Sequence, residues 1–365
     1  MPILLTVLSV SLITTTLAVL VVISDRFLNN YGECQLDIND GDRVLTVTGG
    51  SSLLSSLALN KIFIPSACGG KATCGLCKVK LASESGPVLP TEEPYLTDEE
   101  MAEGIRLSCQ LKVKENLTLF IPEELFRVQQ FKATVTKITQ QTHDIMEYRL
   151  SLVDPSEIEF KAGQYMQIDS KPYGSIRESV NRAYSIASLP SDNNGIELIV
   201  RLVPGGVCTT YMHEHLKEGD SVTIRGPFGD FYLHDGADEL IFIAGGSGLA
   251  PIKSMVFDIL EKKLDKKMTF FFGAVTKKDL YYVDLFTELA EKHDNFHYVP
   301  ALSGPEEFDD WQGEVGLVTD VVDRYVQDAA NMQGYLCGSP GMINACIKVL
   351  VKLGLSEDRI YFDKF

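Results

Sequence analysis

Residues 68–77 read Cys68-Gly69-Gly70-Lys71-Ala72-Thr73-Cys74-Gly75-Leu76-Cys77, and a fourth cysteine, Cys109, follows well downstream. Three thiols in one short loop, with a fourth brought from afar, make a donor set for two irons and their bridging sulfides. The glycines let the loop wrap such a cluster and leave backbone N–H groups free to bond its sulfurs. Structural zinc usually takes two separated Cys-x-x-Cys knuckles instead. Five residues separate Cys68 from Cys74, against four in the commoner spacing. The pattern predicts a [2Fe–2S] cluster with Cys68, Cys74, Cys77 and Cys109 as its metal ligands. Such clustering argues against a disulfide framework. Cys34, Cys208 and Cys346 lack this context and read as ordinary thiols.

Around that loop, from Cys34 to about Phe126, short β segments alternate with turns. Gln35–Asp40 and Arg43–Val47 make a hairpin across Asn39-Asp40-Gly41-Asp42. Ser51 to Leu59 reads as a short helix capped by Ser51 or Ser52, and Lys78–Leu81 and Leu117–Ile121 as further strands. A small α+β domain over 33–126 results. Within it, residues 92–103 carry Glu92, Glu93, Asp98, Glu99, Glu100 and Glu103 with no Lys or Arg. That run reads as a solvated face, or as a docking patch for a basic partner.

The N-terminus has a different character. Met1 to Ser24 contains no charged side chain, and Ile3–Ile23 is mostly Leu, Val, Ile and Thr. About 20 apolar residues rising 1.5 Å each cross a bilayer core of roughly 30 Å. A cleaved signal peptide wants a basic segment ahead of its apolar run, and no Lys or Arg precedes Arg26. The expectation is one uncleaved transmembrane helix over 1–26.

Residues 129–234 hold regularly spaced short strands: Lys132–Ile138, Ile145–Leu152, Gln164–Ile168, Ala183–Ile186, Ile196–Leu202 and Ser221–Arg225. They predict a closed antiparallel barrel. In it stand Arg182-Ala183-Tyr184-Ser185 and Gly206-Val207-Cys208-Thr209-Thr210. An Arg beside an aromatic and a hydroxyl can pin a phosphate, cover a flavin face and bond the ring's reactive nitrogen. Gly206 and Val207 open a helix N-terminus where free N–H groups, with Thr209 and Thr210, make a seat for the flavin's pyrophosphate.

From Glu239 the period changes to alternating apolar runs and helices, a βαβ pattern and hence a parallel sheet covered on both faces, over 235–365. Gly245-Gly246-Ser247-Gly248-Leu249-Ala250-Pro251 follows the strand Leu240–Ala244 and opens a helix. Bare backbone at Gly245, Gly246 and Gly248 admits a dinucleotide pyrophosphate, which the helix dipole favours. Pro251 stands where the usual third glycine would be. No acid ends the second strand to hold a ribose; Lys277 and Lys278 there suit a 2′-phosphate, so this stretch leans only moderately to NADH over NADPH. Cys337-Gly338-Ser339-Pro340-Gly341-Met342 follows a later strand and is expected to line the nicotinamide site through Cys337, Gly338 and Pro340.

The chain has 365 residues, a length for two or three domains, with 45% hydrophobic residues and a formal charge of −17. Excess acid argues against binding a phosphate backbone, so nucleic acid is excluded.

Together R-A-Y-S, G-V-C-T-T, G-G-S-G-L-A-P and C-G-S-P-G-M resemble the motifs of the ferredoxin–NADP reductase superfamily, here fused to a plant-type ferredoxin domain. With an apolar N-terminus and a five-residue gap in the cysteine loop, the chain is most similar to the family of F subunits of sodium-translocating NADH:quinone oxidoreductases. The resemblance implies a multidomain fold: a transmembrane helix, a β-grasp ferredoxin domain, an FAD barrel and a Rossmann-like NADH domain. It implies hydride transfer from NADH to FAD and single electrons onward through the cluster. The partners it implies are other subunits of a membrane quinone-reductase complex. The location is the bacterial inner membrane, single-pass, with the soluble domains cytoplasmic. Arg182, Tyr184 and Ser185 take the flavin contacts, with Tyr184, Ser185 and Cys337 at the reacting centre. Phe365, the last residue, would cover the flavin face opposite Tyr184. The end of the chain, Arg359 to Phe365, also resembles reductases of multicomponent oxygenases, which are the alternative.

Overall fold

The structure, a computed structural model, describes residues 2–28, 31–83, 86–307 and 309–364. The chain divides into two compact units, Met1–Arg127 and Val128–Phe365.

The first unit begins with helix α1, Pro2–Leu28, 27 residues long. Its apolar side chains Val7, Leu12, Leu17 and Val21 are exposed. Among the described residues no helix is long and apolar enough to cross a membrane. The expectation of a span rests on the sequence.

Next come β1 (Glu33–Ile38) and β2 (Arg43–Thr48), paired antiparallel with Leu36 opposite Leu45. Asn39 and Asp40 in their turn both take left-handed φ, 53° and 54°, which short polar side chains tolerate. Helix α2 (Leu53–Leu59) starts where Ser52 accepts the Ser55 N–H. Then follow β3 (Lys78–Leu81), α3 (Asp98–Ala102), β4 (Ile105–Leu107) and β5 (Leu117–Phe120). The sheet runs β2-β1-β5-β3-β4, with β1 and β5 parallel. Leu36, Ile38, Leu53, Leu57, Leu107 and Leu119 fill its core, and Cys34 is buried among them as an ordinary thiol.

The acidic run is neither a uniform solvated face nor a bare docking patch. Glu92 is fully buried against Arg106, while Glu100 and Glu103 pair with Lys78 and Lys80. Cations from outside the run thus pair with Glu92, Glu100 and Glu103, which local composition does not reveal.

The second unit opens with an antiparallel sheet of β6 (Gln129–Gln140), β7 (Ile145–Asp154), β8 (Tyr165–Asp169), β9 (Asn181–Ser185) and β10 (Gly195–Arg201), then the short helix α4 (Val207–Thr210) and β11 (Ser221–Phe228). Its order is β10-β7-β6-β11-β8-β9, and a bridge between Ile186 and Leu198 closes it into the expected barrel. Tyr148, Leu150, Met166, Ile168, Leu198 and Ile224 pack inside.

Next are β12 (Glu239–Gly245), α5 (Leu249–Glu261), β13 (Lys267–Ala274), α6 (Val283–Lys292), β14 (Phe296–Leu302), β15 (Glu314–Val315), α7 (Val318–Tyr325), β16 (Gln333–Gly338), α8 (Pro340–Lys352) and β17 (Ile360–Lys364). All six strands are parallel in the order β15-β14-β13-β12-β16-β17. The order reverses between β12 and β16, the place where open α/β sheets bind ligands beyond their carboxyl ends. Separate apolar clusters on the two sheet faces make the doubly covered core.

Gly163 shows how closely barrel and nucleotide sheet meet. Its φ is +104°, and a Cβ there would collide with the Phe231 carbonyl and the Met255 methyl on α5. Gly163→Ala should therefore destabilise the second unit by about 2–3 kcal/mol. Calorimetry should show its transition lowered and that of the ferredoxin unit unmoved.

Candidate functional site

The cysteine loop turns tightly because four of its residues take left-handed φ: Gly69, Gly70, Ala72 and Gly75. The Gly70 N–H donates to Ser66 Oγ at 2.9 Å, and the Lys71 N–H to Cys68 Sγ at 3.2 Å. The Cys74 thiol lies 3.4 Å from Cys68 Sγ and donates to it. That bond lowers the Cys68 pKa and raises that of Cys74. Cys77 and Cys109 make a second such pair, with Cys77 pushed up and Cys109 held at about 7 by the Cys77 thiol. Ser108 Oγ donates to the Cys77 carbonyl at 2.9 Å, tying the fourth cysteine's strand to the loop.

Among the described residues no group of three or more His, Cys, Asp or Glu is arranged to hold a single metal ion. Two thiol pairs suit two irons that share bridging sulfides, one pair to each iron. All four are free of disulfides. The donor set fits a [2Fe–2S] cluster.

On the barrel, β9 carries Arg182, Ala183, Tyr184 and Ser185 half-buried along the edge strand, opposite β8 in the register Tyr165–Ser185 to Asp169–Asn181. The Tyr184 hydroxyl and Asn181 Oδ1 are buried without a hydrogen-bond partner. Burial also raises the Tyr184 pKa well above its ordinary value. Orphaned buried polar atoms beside a cationic side chain suit the polar rim of a flavin. At the start of α4, Gly206 is required because a Cβ would sit 2.6 Å from Thr209 Oγ1. The Thr209 hydroxyl is spent within this turn: it accepts the Val203 N–H and lies 3.2 Å from the Gly206 carbonyl. The Gly206 N–H is likewise taken, donating to the Val203 carbonyl at 2.8 Å, so what remains for a pyrophosphate is the Val207 N–H and Thr210.

The dinucleotide loop closes β12 onto α5. Gly245 lies in register with Gly273, and Gly246 takes φ +58°. Gly248 packs so tightly on β16 that a Cβ would overlap the Cys337 carbonyl. The close helix–strand approach usually assigned to a third glycine is therefore made by Gly248, and Pro251 sits harmlessly within the first turn of α5. The Tyr281 hydroxyl donates to the Gly246 carbonyl at 2.8 Å. Neither lysine after β13 stands alone: Lys278 pairs with Glu306 at 2.9 Å, and Lys277 Nζ donates to the Asp309 carbonyl at 2.8 Å.

Cys337 lies next to Gly338 (φ +149°), the last residue of β16, and Pro340 begins α8 with Ser339 as its cap. The Cys337 side chain is fully buried, and burial pushes its pKa well up. It opposes Asp363 on β17. Asp363 Oδ2 lies 3.4 Å from Ser185 Oγ, so the barrel's flavin motif meets the edge of the nucleotide sheet. Asp363 escaped the sequence reading because β17 follows the last obvious motif. Its signal is the terminal stretch Arg359–Phe365, which resembles oxygenase reductases but carries no acid–hydroxyl motif. Arg201 was missed as well. It pairs with Asp144 at 2.6 Å, and its guanidinium would lie 3.4 Å from a Cβ at Gly246, so the barrel lends a cation to the dinucleotide loop. Phe365 lies outside the described residues.

Three family models match the chain: "2Fe-2S iron-sulfur cluster binding domain" over 36–114, "Oxidoreductase FAD-binding domain" over 132–232 and "Oxidoreductase NAD-binding domain" over 242–348. The chain is 36% identical over 396 residues to the F subunit of the Na(+)-translocating NADH-quinone reductase of Histophilus somni, covering 97% of each. It is 35% identical over 405 residues to that of Neisseria gonorrhoeae, covering 100% of each. Among solved structures it is similar to an Amycolatopsis cytochrome P450 reductase (TM-score 0.74, 30% identity, 91% of this chain and 98% of that one). It is also similar to the ferredoxin reductase in carbazole 1,9a-dioxygenase (TM-score 0.69, 25% identity, again 91% and 98%).

Replacing Cys68, Cys74, Cys77 or Cys109 by Ala should abolish the electron-spin signal of the reduced cluster while FAD stays bound, and Cys34→Ala should spare it. A normal signal in Cys109→Ala would refute the four-ligand set.

Burial lifts the Asp363 carboxyl from 3.8 to about 6, with the Ser185 hydroxyl partly offsetting it. Between those values the folded chain keeps a proton that the unfolded chain has lost. The second unit therefore loses stability as pH rises across that window, by up to about 3 kcal/mol, and levels off above it. Asp363→Asn should remove that slope from melting profiles over about pH 4 to 7. Parallel profiles for the two proteins would assign the titration to another group.

Proposed function

The chain belongs to the family formed by the F subunits of Na(+)-translocating NADH-quinone reductases, and from that premise we propose that it feeds electrons from NADH into a membrane quinone-reductase complex. It is a flavin and iron–sulfur oxidoreductase with FAD, NADH and [2Fe–2S] as its cofactors. The observation that carries this reading is the Ser185–Asp363 contact, which sets the flavin motif of the barrel against the nicotinamide edge of the parallel sheet.

Bound FAD would supply the conversion between the two-electron chemistry of NADH and the one-electron chemistry of the cluster. The residues of this chain do the rest. Arg182 and the α4 start hold the flavin's phosphates, and Tyr184 covers one ring face. Ser185 hydrogen-bonds the edge of the ring, and Asp363 orients that hydroxyl. Gly245, Gly246 and Gly248 admit the dinucleotide backbone, with Tyr281 holding the loop and Arg201 adding charge. Cys337, Gly338 and Pro340 shape the floor under the nicotinamide. Phe365 is assigned the opposite flavin face by family resemblance.

The apolar stretch Ile3–Ile23 within α1 anchors the chain in the bacterial inner membrane, N-terminus out, with both cofactor-bearing units on the cytoplasmic side where NADH is. Supporting this are the 27-residue length of α1 and the lack of any charge from Met1 to Ser24. With no ionisable side chain there, α1 offers no ion site, and sodium coupling belongs to other subunits. A second reading, a reductase serving an oxygenase, is favoured by the P450 and dioxygenase reductases among the similar structures. Such a role needs no apolar N-terminal helix.

Deleting residues 1–28 should release a soluble chain whose NADH-to-dye activity is unchanged and independent of sodium, and which no longer co-purifies with membrane subunits. A truncated chain that stays in the membrane fraction, or that oxidises NADH faster with sodium, would overturn the anchor or the division of labour. Co-purification of the full chain with oxygenase subunits would favour the second reading.

A further inference from the structure

Among the described residues of the first unit, Glu92 and Arg106 form the most buried ion pair, with side-chain exposures of 0% and 5%. Arg106 Nη2 lies 2.6 Å from Glu92 Oε2, and its Nε 3.0 Å from Oε1. The same carboxylate accepts the Leu107 N–H at 2.9 Å and the Leu89 N–H at 3.0 Å, and Arg106 Nη1 donates to the Gly86 carbonyl at 3.1 Å. A buried pair of this kind contributes little net stability, because desolvation offsets the attraction. Its effect here is geometric: one carboxylate holds both Arg106 and Leu107 in the strand that leads directly into Cys109.

The neighbouring residues act on the same point. Thr91 Oγ1 donates to Gln110 Oε1 at 2.8 Å, and Gln110 Nε2 in turn lies 3.7 Å from Cys109 Sγ as its donor. At the other end of the turn, the Tyr95 ring lies flush on Gly75, where a Cβ would come within 2.8 Å of it. Gly75 sits between Cys74 and Cys77. Residues 91–95 thus touch the three-cysteine loop on one side and both flanks of the distant cysteine on the other.

We propose that the turn Thr91–Tyr95 is a clasp that fixes Cys109 against the three-cysteine loop, with Glu92 and Thr91 as positioning residues that set how firmly the cluster is held and at what potential it is reduced. The proposal rests on Cys109 being a cluster ligand. Outer partners that orient ligands typically change metal affinity by roughly 10–100-fold when removed, and an N–H aimed at a ligand sulfur raises a cluster's potential.

The test uses the full chain purified with FAD and cluster. Glu92→Gln, the double replacement Glu92→Met with Arg106→Met, and Thr91→Val are compared with the parent. The readouts are iron and sulfide per FAD, the rate at which an iron chelator bleaches the cluster, and the reduction midpoint. Glu92→Gln should lose its cluster roughly tenfold faster or more. The double variant fills the same space without charge, so it should fold; it leaves the Leu107 N–H unpaired and should bleach as fast as Glu92→Gln. Thr91→Val should keep the cluster and shift its midpoint downward. A folded double variant that bleaches at the parental rate, or a Thr91→Val midpoint that does not move, overturns the clasp. Cys109→Ala serves as the control for the premise: retention of the cluster there removes the ligand assignment, and the clasp with it.

Discussion

Lys253 holds the second unit in working order. It lies on α5, the helix that opens at the dinucleotide loop, yet its ammonium is bound by two barrel carboxylates: Glu197 at 2.8 Å and Glu147 at 3.3 Å. Glu147 also accepts the Tyr282 hydroxyl and the Gln141 amide. Only about an eighth of the Lys253 and Glu147 side chains reach solvent, at 12% each. In such surroundings loss of one partner strands the other charge, so the network holds one geometry or fails. That geometry sets the barrel's edge strand β9 beside β17, and hence Ser185 beside Asp363.

The Tyr281-Tyr282 step extends the same constraint. Tyr282 is left-handed, with φ 60°, a conformation that costs a bulky residue energy and persists only where its surroundings demand it. Because of that turn, consecutive tyrosines serve opposite sides, Tyr281 bonding the Gly246 carbonyl and Tyr282 the barrel's Glu147. Nucleotide loop and flavin barrel are thus referenced to one short segment. Hydride transfer tolerates little error in the spacing of its two rings, which gives such coupling its purpose.

In both units acidic side chains are matched to cations from distant segments. The formal charge of −17 suggests broad acidic faces, but much of the acid is spent internally. Glu92 anchors a strand, Glu147 and Glu197 bracket a lysine, and Asp144 holds Arg201. Asp363 is kept largely from ionising at low pH by burial. Net charge therefore says more about which partners are excluded than about where contacts form.

The sequence by itself determined every feature that is written locally. Cysteine spacing, the strand period of the barrel, the βαβ period after Glu239 and the glycine loops depend on residues near one another in the chain, and short-range sterics decide them. All six barrel strands lie where their alternation placed them, and the helix after Gly248 starts at its loop. The tertiary structure alone decided which distant residues meet. Glu92 looked like surface acid until Arg106 was brought beneath it, and Lys277 and Lys278 looked like phosphate ligands until Asp309 and Glu306 came across from the loop after β14. Asp363 had no motif, and only the pairing of β16 with β17 sets it by Cys337 and Ser185. The physical reason is that burial and ion pairing are set by contacts between segments far apart in sequence, and a charged side chain has no fixed role until its neighbours are known.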